Sequence, residues 1–146
     1  MIHISCAFCA LICAFCVPLP FRIGGSVVAA YAHHSIAGVY DSGRKVTVEG
    51  VVAQFQFINP HPFIIMDVKK GAADTEQWRL EMDNRSELVE IGMTSQTLRP
   101  GDHVKVTGSP GRTEPRQLYI AKLDRASDGF QYEQVGTTPR IRMPSR

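Results

Sequence analysis

Lys45-Val46-Thr47-Val48-Glu49-Gly50-Val51-Val52-Ala53-Gln54-Phe55-Gln56-Phe57-Ile58 is the stretch that decides the fold. Val46 and Val48 share one face of an extended chain, and beyond Gly50 the apolar positions change parity to Val51, Ala53, Phe55 and Phe57. Side chains alternate across a strand with a period of two, so a change of parity at a glycine predicts a β-bulge or sharp bend there. A long strand bent in this way feeds both halves of a curled sheet, as the first strand of a five-stranded OB-type barrel does.

Downstream, Asn59-Pro60-His61-Pro62 breaks the strand and Phe63 to Lys70 resumes it, with Ile64, Met66 and Val68 on one face. Gly71 to Asp74 reads as a hairpin loop. Glu76 to Asp83 is a third strand with Trp78, Leu80 and Met82 inward and Arg79, Glu81 and Asp83 outward. Asn84-Arg85-Ser86-Glu87 has the spacing of a capping box, opening a short helix that carries Leu88, Val89 and Ile91 and ends at Gly92. A Pro100-Gly101 turn precedes a fourth strand around Val104 and Val106, and Leu118 to Leu123 supplies a fifth. The expected fold is mainly β: a five-stranded OB-like barrel, β-β-β-α-β-β, over residues 45–126 with one short helix. Residues 33–44 read as an N-terminal arm. Residues 127–146, polar with scattered Gly and Pro, read as a loosely ordered tail despite Phe130 and Tyr132.

Upstream, Ile4 to Phe21 carries no charge, and Ala30-Tyr31-Ala32 has the A-x-A form of a signal-peptidase site. Residues 1–32 therefore read as a signal peptide and the protein as periplasmic or secreted, with an uncleaved anchor as the competing reading. Cys6, Cys9, Cys13 and Cys16 all fall in this stretch. Four thiolates suit zinc or an iron–sulfur cluster, but such sites occupy polar loops, and an uninterrupted apolar run argues for a Cys-rich leader. The chain has 16 Lys and Arg, of which Arg22 lies in the leader, leaving 15 against 14 Asp and Glu. Nucleic-acid or membrane-surface binding calls for clustered cations to displace counterions, and this near-balance argues against both.

Four histidines follow the leader: His33, His34, His61 and His103. Cleavage after Ala32 makes His33 the first residue, whose α-amino group and ring Nδ1 can close a chelate on one metal ion. That amine titrates near ~7.7–8.0, so metal competes with one weakly held proton. His61 stands between two prolines that restrict the backbone around it. The arm from His33 to Lys45 reaches at most about 40 Å, enough to return to the loop that holds His61. An all-nitrogen set of amine, His33, His34 and His61 suits copper first by the Irving–Williams order, with zinc or nickel as the other candidates. The plainer reading is a polar pair at a cleavage site and a turn histidine. Outward-facing Glu81 and Asp83 are either acceptors for the second nitrogen of a bound imidazole or ordinary surface charge. His103, beside Lys105 on an outward face, is expected to be solvated.

His33-His34-Ser35, Asn59-Pro60-His61, Trp78 with Glu81, Gly92-Met93-Thr94 and Leu98-x-Pro100-Gly101-Asp102-x-Val104 together resemble a family of small exported bacterial proteins of unknown function. The resemblance spans about Ala32 to Leu123; Met93 stands where that family usually has Trp. It implies export and an OB-like barrel without an established activity, and it marks His33, His34, Asn59 and His61 as the place to look. Three functions follow. The first is a binding module for a metal ion or small ligand, with His33, His34 and His61 as metal ligands and Asn59 beside them. The second is an OB-type module for a saccharide or protein partner. The third is copper-dependent oxidative chemistry with a terminal-histidine ligand set. The chain has no G-x-S-x-G, no H-E-x-x-H and no cysteine beyond the leader, so hydrolytic catalysis has no carrier. Phe55, Phe57 and Trp78 lie on core parity, so core packing is the expectation for them in place of stacking on nucleic acid.

Overall fold

Alternating apolar residues build seven strands, which the computed structural model describes within residues 35–72 and 74–143. In chain order these are α1 (Ile36–Val39), β1 (Val46–Gln56), β2 (Phe63–Lys69), β3 (Thr75–Glu81), α2 (Arg85–Glu90), β4 (His103–Pro110), β5 (Gln117–Arg125), β6 (Phe130–Val135) and β7 (Thr138–Arg142). All belong to one unit, His33–Arg146. The strands run β3-β2-β1-β4-β5-β6-β7, and a parallel pairing of β3 with β5 closes the first five into a barrel. That closure, with α2 between β3 and β4, is the expected OB-like arrangement, to which β6 and β7 are added.

β1 divides its hydrogen bonds as its sequence suggests. Val46 to Val51 pair with β4, and Val51 to Gln56 pair with β2. The change of register falls between Val52 and Gln54, three residues beyond Gly50. Val48 and Val52 therefore share the buried face, and only after the bulge at Ala53 do Phe55 and Phe57 turn to pack on the core. Gly50 serves a different purpose: a Cβ there would overlap the Asp67 carbonyl oxygen of β2. Gly108 stands at the second register shift, between β4 and β5, where a Cβ would overlap the Tyr119 carbonyl oxygen.

Ile64, Met66, Leu80, Met82, Val106, Leu118, Ile120 and Leu123 fill the barrel without solvent exposure, each such side chain contributing roughly 1.5–3 kcal/mol by leaving water. α2 begins as expected at Asn84, whose Oδ1 accepts from the Ser86 backbone N–H at 3.0 Å and the Ser86 hydroxyl at 2.8 Å. The cap thus uses the second helical N–H instead of the third. Gly92 ends the helix at φ 93°, with the Met93 N–H returning to the Leu88 carbonyl at 2.9 Å, and Leu88, Met93 and Leu98 enter the core.

Residues 127–146 are the main correction. Within it Phe130–Val135 and Thr138–Arg142 form a hairpin, β6 pairing with β5 and β7 with β6, and residues 144–146 lie outside the described residues. Phe130 and Tyr132 are buried in the core, and Pro139 is buried on β7. Their alternation over Phe130-x-Tyr132, between turn glycines at Gly129 (φ 77°) and Gly136 (φ 64°), outweighs the polar composition of the stretch.

Candidate functional site

The loop between β1 and β2 is held rigidly where it carries His61. Pro62 is buried, the Met82 N–H donates to the Pro62 carbonyl at 2.9 Å, and the Arg85 N–H donates to the Pro60 carbonyl at 2.9 Å. The Asn59–Pro60 bond is cis. His61 is thereby set against the end of β3, its Nδ1 at 3.1 Å from the Met82 carbonyl oxygen. A carbonyl only accepts, so Nδ1 carries the proton and the lone pair of the neutral ring resides on Nε2. Glu81 Oε1 lies 3.9 Å from the same Nδ1, while Glu81 Oε2 accepts from the Tyr40 hydroxyl at 2.7 Å.

Two residues on, Asp83 departs from its expected place on the surface. It is 4% exposed, and its carboxylate accepts from three donors. Oδ1 takes the Tyr119 hydroxyl and Gln134 Nε2 (2.7 Å), and Oδ2 takes the Tyr132 hydroxyl (2.6 Å). Gln134 Nε2 also reaches the Tyr119 oxygen at 3.2 Å. Tyr119 faces outward from β5 between the inward Leu118 and Ile120 yet is buried, because Tyr40, Asp83 and Gln134 cover it. Burial first, then the neighbouring Asp83 carboxylate, pushes the Tyr119 and Tyr132 phenols well above their ordinary value; burial and then the Glu81 hydrogen bond do so for Tyr40. These phenols stay protonated donors across the physiological range. Sequence parity missed Asp83 because it reports which face of a strand a residue takes, not whether a later element covers that face.

His61, Asp83, Asn84, Tyr119 and Gln134 line an open cleft of about 410 Å³, with Ile36 of α1 and Gly136 and Thr137 of the β6–β7 turn completing the wall. The arm enters at this wall and is anchored just beyond it: Tyr40 bridges to Gly111, and the Arg112 N–H donates to the Val39 carbonyl at 2.9 Å. His33 and His34, like the leader 1–32, lie outside the described residues. Asn59 is exposed on the His61 loop, and His103 is exposed on β4. Among the described residues no three His, Cys, Asp or Glu side chains converge on a common point suited to a metal ion, so any metal held here through His61 draws its other ligands from elsewhere. Among them, too, no helix is long and apolar enough to cross a membrane.

A closed five-stranded barrel with a polar cleft against its β3 end defines an OB-like module of unassigned function. The chain belongs to the family of unknown function DUF6152, whose model matches residues 23–118. The match stops inside β5, before the β6–β7 hairpin. No curated protein matches significantly. Among the solved structures similar to the chain are two of TiaS. One is the ZRD-deleted mutant of TiaS in complex with agmatine, with a TM-score of 0.43 and 20% identity over 62% of this chain and 26% of that one. The other is the TiaS–tRNA(Ile2)–ATP complex, with a TM-score of 0.43 and 16% identity over 70% of this chain and 28% of that one. The chain thus spans little more than a quarter of the length of the solved structures it matches, and likeness at this level carries no inference about activity.

Proposed function

We propose that this protein is an exported binding module that holds a transition metal ion, copper by preference, at the His61 cleft. The ligands would be the α-amino group and imidazole of His33 at a processed N-terminus, with His34 and His61. The observation that carries this reading is the hydrogen bond from His61 Nδ1 to the Met82 carbonyl. A metal-binding imidazole ordinarily donates its other ring N–H to a carbonyl or carboxylate, which fixes the tautomer and ring direction and strengthens the ligating nitrogen. His61 already has that arrangement, with the Glu81 carboxylate 3.9 Å from the same nitrogen.

Connectivity supplies the second support. Ile36 lines the cleft, and an extended chain covers at most about 3.6 Å per residue. His34 is thus at most about 7 Å along the chain from a residue of the wall, and His33 at most about 11 Å. The route is shorter than the full length of the arm suggests, since the anchoring at Val39 and Tyr40 leaves only the residues before Ser35 to turn toward His61. Nitrogen ligands favour Cu(II) over Zn(II) and Ni(II), and the proton on a terminal amine is weakly held near neutral pH.

A native mass spectrum of the protein recovered from its exporting host reads both the first residue and any retained metal. Copper or zinc on a chain that starts at His33 is the expected result. Titration with Cu(II) then separates the ligands: a single residue added before His33, or His61→Ala, should weaken binding at least tenfold. Equal copper affinity in both variants overturns the metal site, and a chain that retains its leader overturns the terminal chelate.

A further inference from the structure

We infer that a second cleft, around Trp78 in the middle of β3 and sharing no lining residue with the His61 cleft, binds a neutral oligosaccharide. This cleft, about 530 Å³, lies where the barrel closes. Val46 at the start of β1, Trp78 of β3, Pro110 at the end of β4 and Gln117 at the start of β5 form its wall, and Gly111, Glu114, Pro115 and Arg116 of the β4–β5 connection form its rim. Its size falls within the range of small-molecule sites.

The chemistry of the lining selects the ligand. Trp78 is half-buried, packed against the core, and its Nε1 donates to Glu76 Oε1 at 3.0 Å, which fixes the direction of the indole. Indole offers a flat apolar surface on which the C–H face of a sugar ring can lie, with a polar edge for orientation. Around it stand Arg44, Arg116, Glu76, Glu114 and Gln117. Two positive and two negative charges cancel, which disfavours a polyanion and a polycation equally; four charges also disfavour a wholly apolar guest. Guanidinium, carboxylate and carboxamide are planar groups that each present paired donors or acceptors, suited to adjacent hydroxyls on one ring.

The backbone at Arg116 is an independent observation. Its φ is 69°, the left-handed region, and among the described residues no other non-glycine residue lies there. Glycine occupies that region freely, whereas a residue with a Cβ is strained in it. The strain is held by the Arg79 N–H, which donates to the Arg116 carbonyl at 2.9 Å, while the Arg116 guanidinium stands 3.8 Å from Glu76 Oε2 beside the indole. Backbone strain retained at the rim of a cleft points to use of the side chain it presents.

Trp78 is the only tryptophan of the chain, so its emission reports this cleft without labelling. The full chain, titrated to millimolar concentrations with the neutral trisaccharides cellotriose, maltotriose and triacetylchitotriose, should give a saturable blue shift and reduced acrylamide quenching with at least one of them. Arg116→Gly should keep or raise the thermal midpoint while weakening that binding tenfold or more, and Glu114→Gln, at an exposed position, should weaken it severalfold. The inference is overturned by silence of Trp78 toward all three, by an equal response in Arg116→Gly, or by a response confined to an anionic oligosaccharide such as trigalacturonate. Copper binding at His61 is unaffected in either case, so the two sites are tested separately.

Discussion

Asp83 shows how much one side chain can organise. Its carboxylate gathers a hydroxyl from β5, a hydroxyl from β6 and a carboxamide from β6, and replacing it leaves the two buried hydroxyls of Tyr119 and Tyr132 without their acceptor and Gln134 with only the Tyr119 oxygen. Asp83→Ala should lower unfolding free energy by about 3 kcal/mol, read as a shift of the urea midpoint with an unchanged slope; a change under half that size would mean that water substitutes for the carboxylate. Its two phenols, together with Tyr40 on Glu81, carry an expectation for alkaline pH. Tyr40, Tyr119 and Tyr132 have phenol pKa values raised above the unfolded value of about 10. The folded state therefore holds protons that the unfolded chain releases, and the stabilisation is complete below pH ~10 and lost as pH rises beyond it, by at most about 4 kcal/mol per pH unit. Urea midpoints measured across the alkaline range should fall steeply, with phenolate absorbance from these three residues appearing together with unfolding. Phenolate growing in ahead of unfolding would contradict this.

At the scale of elements, what holds the strands in register is visible in two places. Gly50 and Gly108 let neighbouring strands approach so closely that a methyl group would meet a carbonyl oxygen. Gly50→Ala should cost about 3 kcal/mol and lower the thermal midpoint by about 10 °C or more, whereas Gly71→Ala, in a turn with nothing within 4 Å of the added carbon, serves as the neutral control. Phe130 is 1% exposed on β6, and Phe130→Ala should cost about 3–5 kcal/mol; a loss below about 1 kcal/mol would return the hairpin to the status of a tail. Element order, the cap at Asn84, the stop at Gly92 and the inward positions of β2 to β4 were legible because each rests on local chemistry. The bulge was legible in kind and misplaced by three residues, since Val51 and Val52 are both apolar and either parity fits them. The hairpin was misread because composition averaged over twenty residues hides two aromatic positions. With β6 missing from the reading, nothing would have covered Asp83. Of the residues singled out for a site, His61 lines the cleft, and its hydrogen bond to Met82 depends on a backbone carbonyl that side-chain patterns do not encode.

The molecule as a whole is tied by a single parallel seam. Leu80 pairs with Leu118 and Glu81 with Tyr119, so the half of the barrel made first is joined to the half made last. With the hairpin and both barrel halves sharing one core, unfolding should be cooperative. Trp78 emission, which watches the seam, and far-ultraviolet circular dichroism, which watches all strands, should give coincident urea transitions. An earlier Trp78 transition would mean that the seam opens before the sheet melts. The seam also sets a timetable during synthesis. Until Gln117, Leu118 and Tyr119 have left the ribosome, one long side of β3 has no neighbour, and a nascent chain ending anywhere before them presents a bare row of peptide groups to every other chain nearby. Its contacts are distant in sequence, which slows closure further. This small barrel thus spends most of its own translation as an unfinished sheet, dependent on whatever holds growing chains apart until the last few residues of the ring arrive.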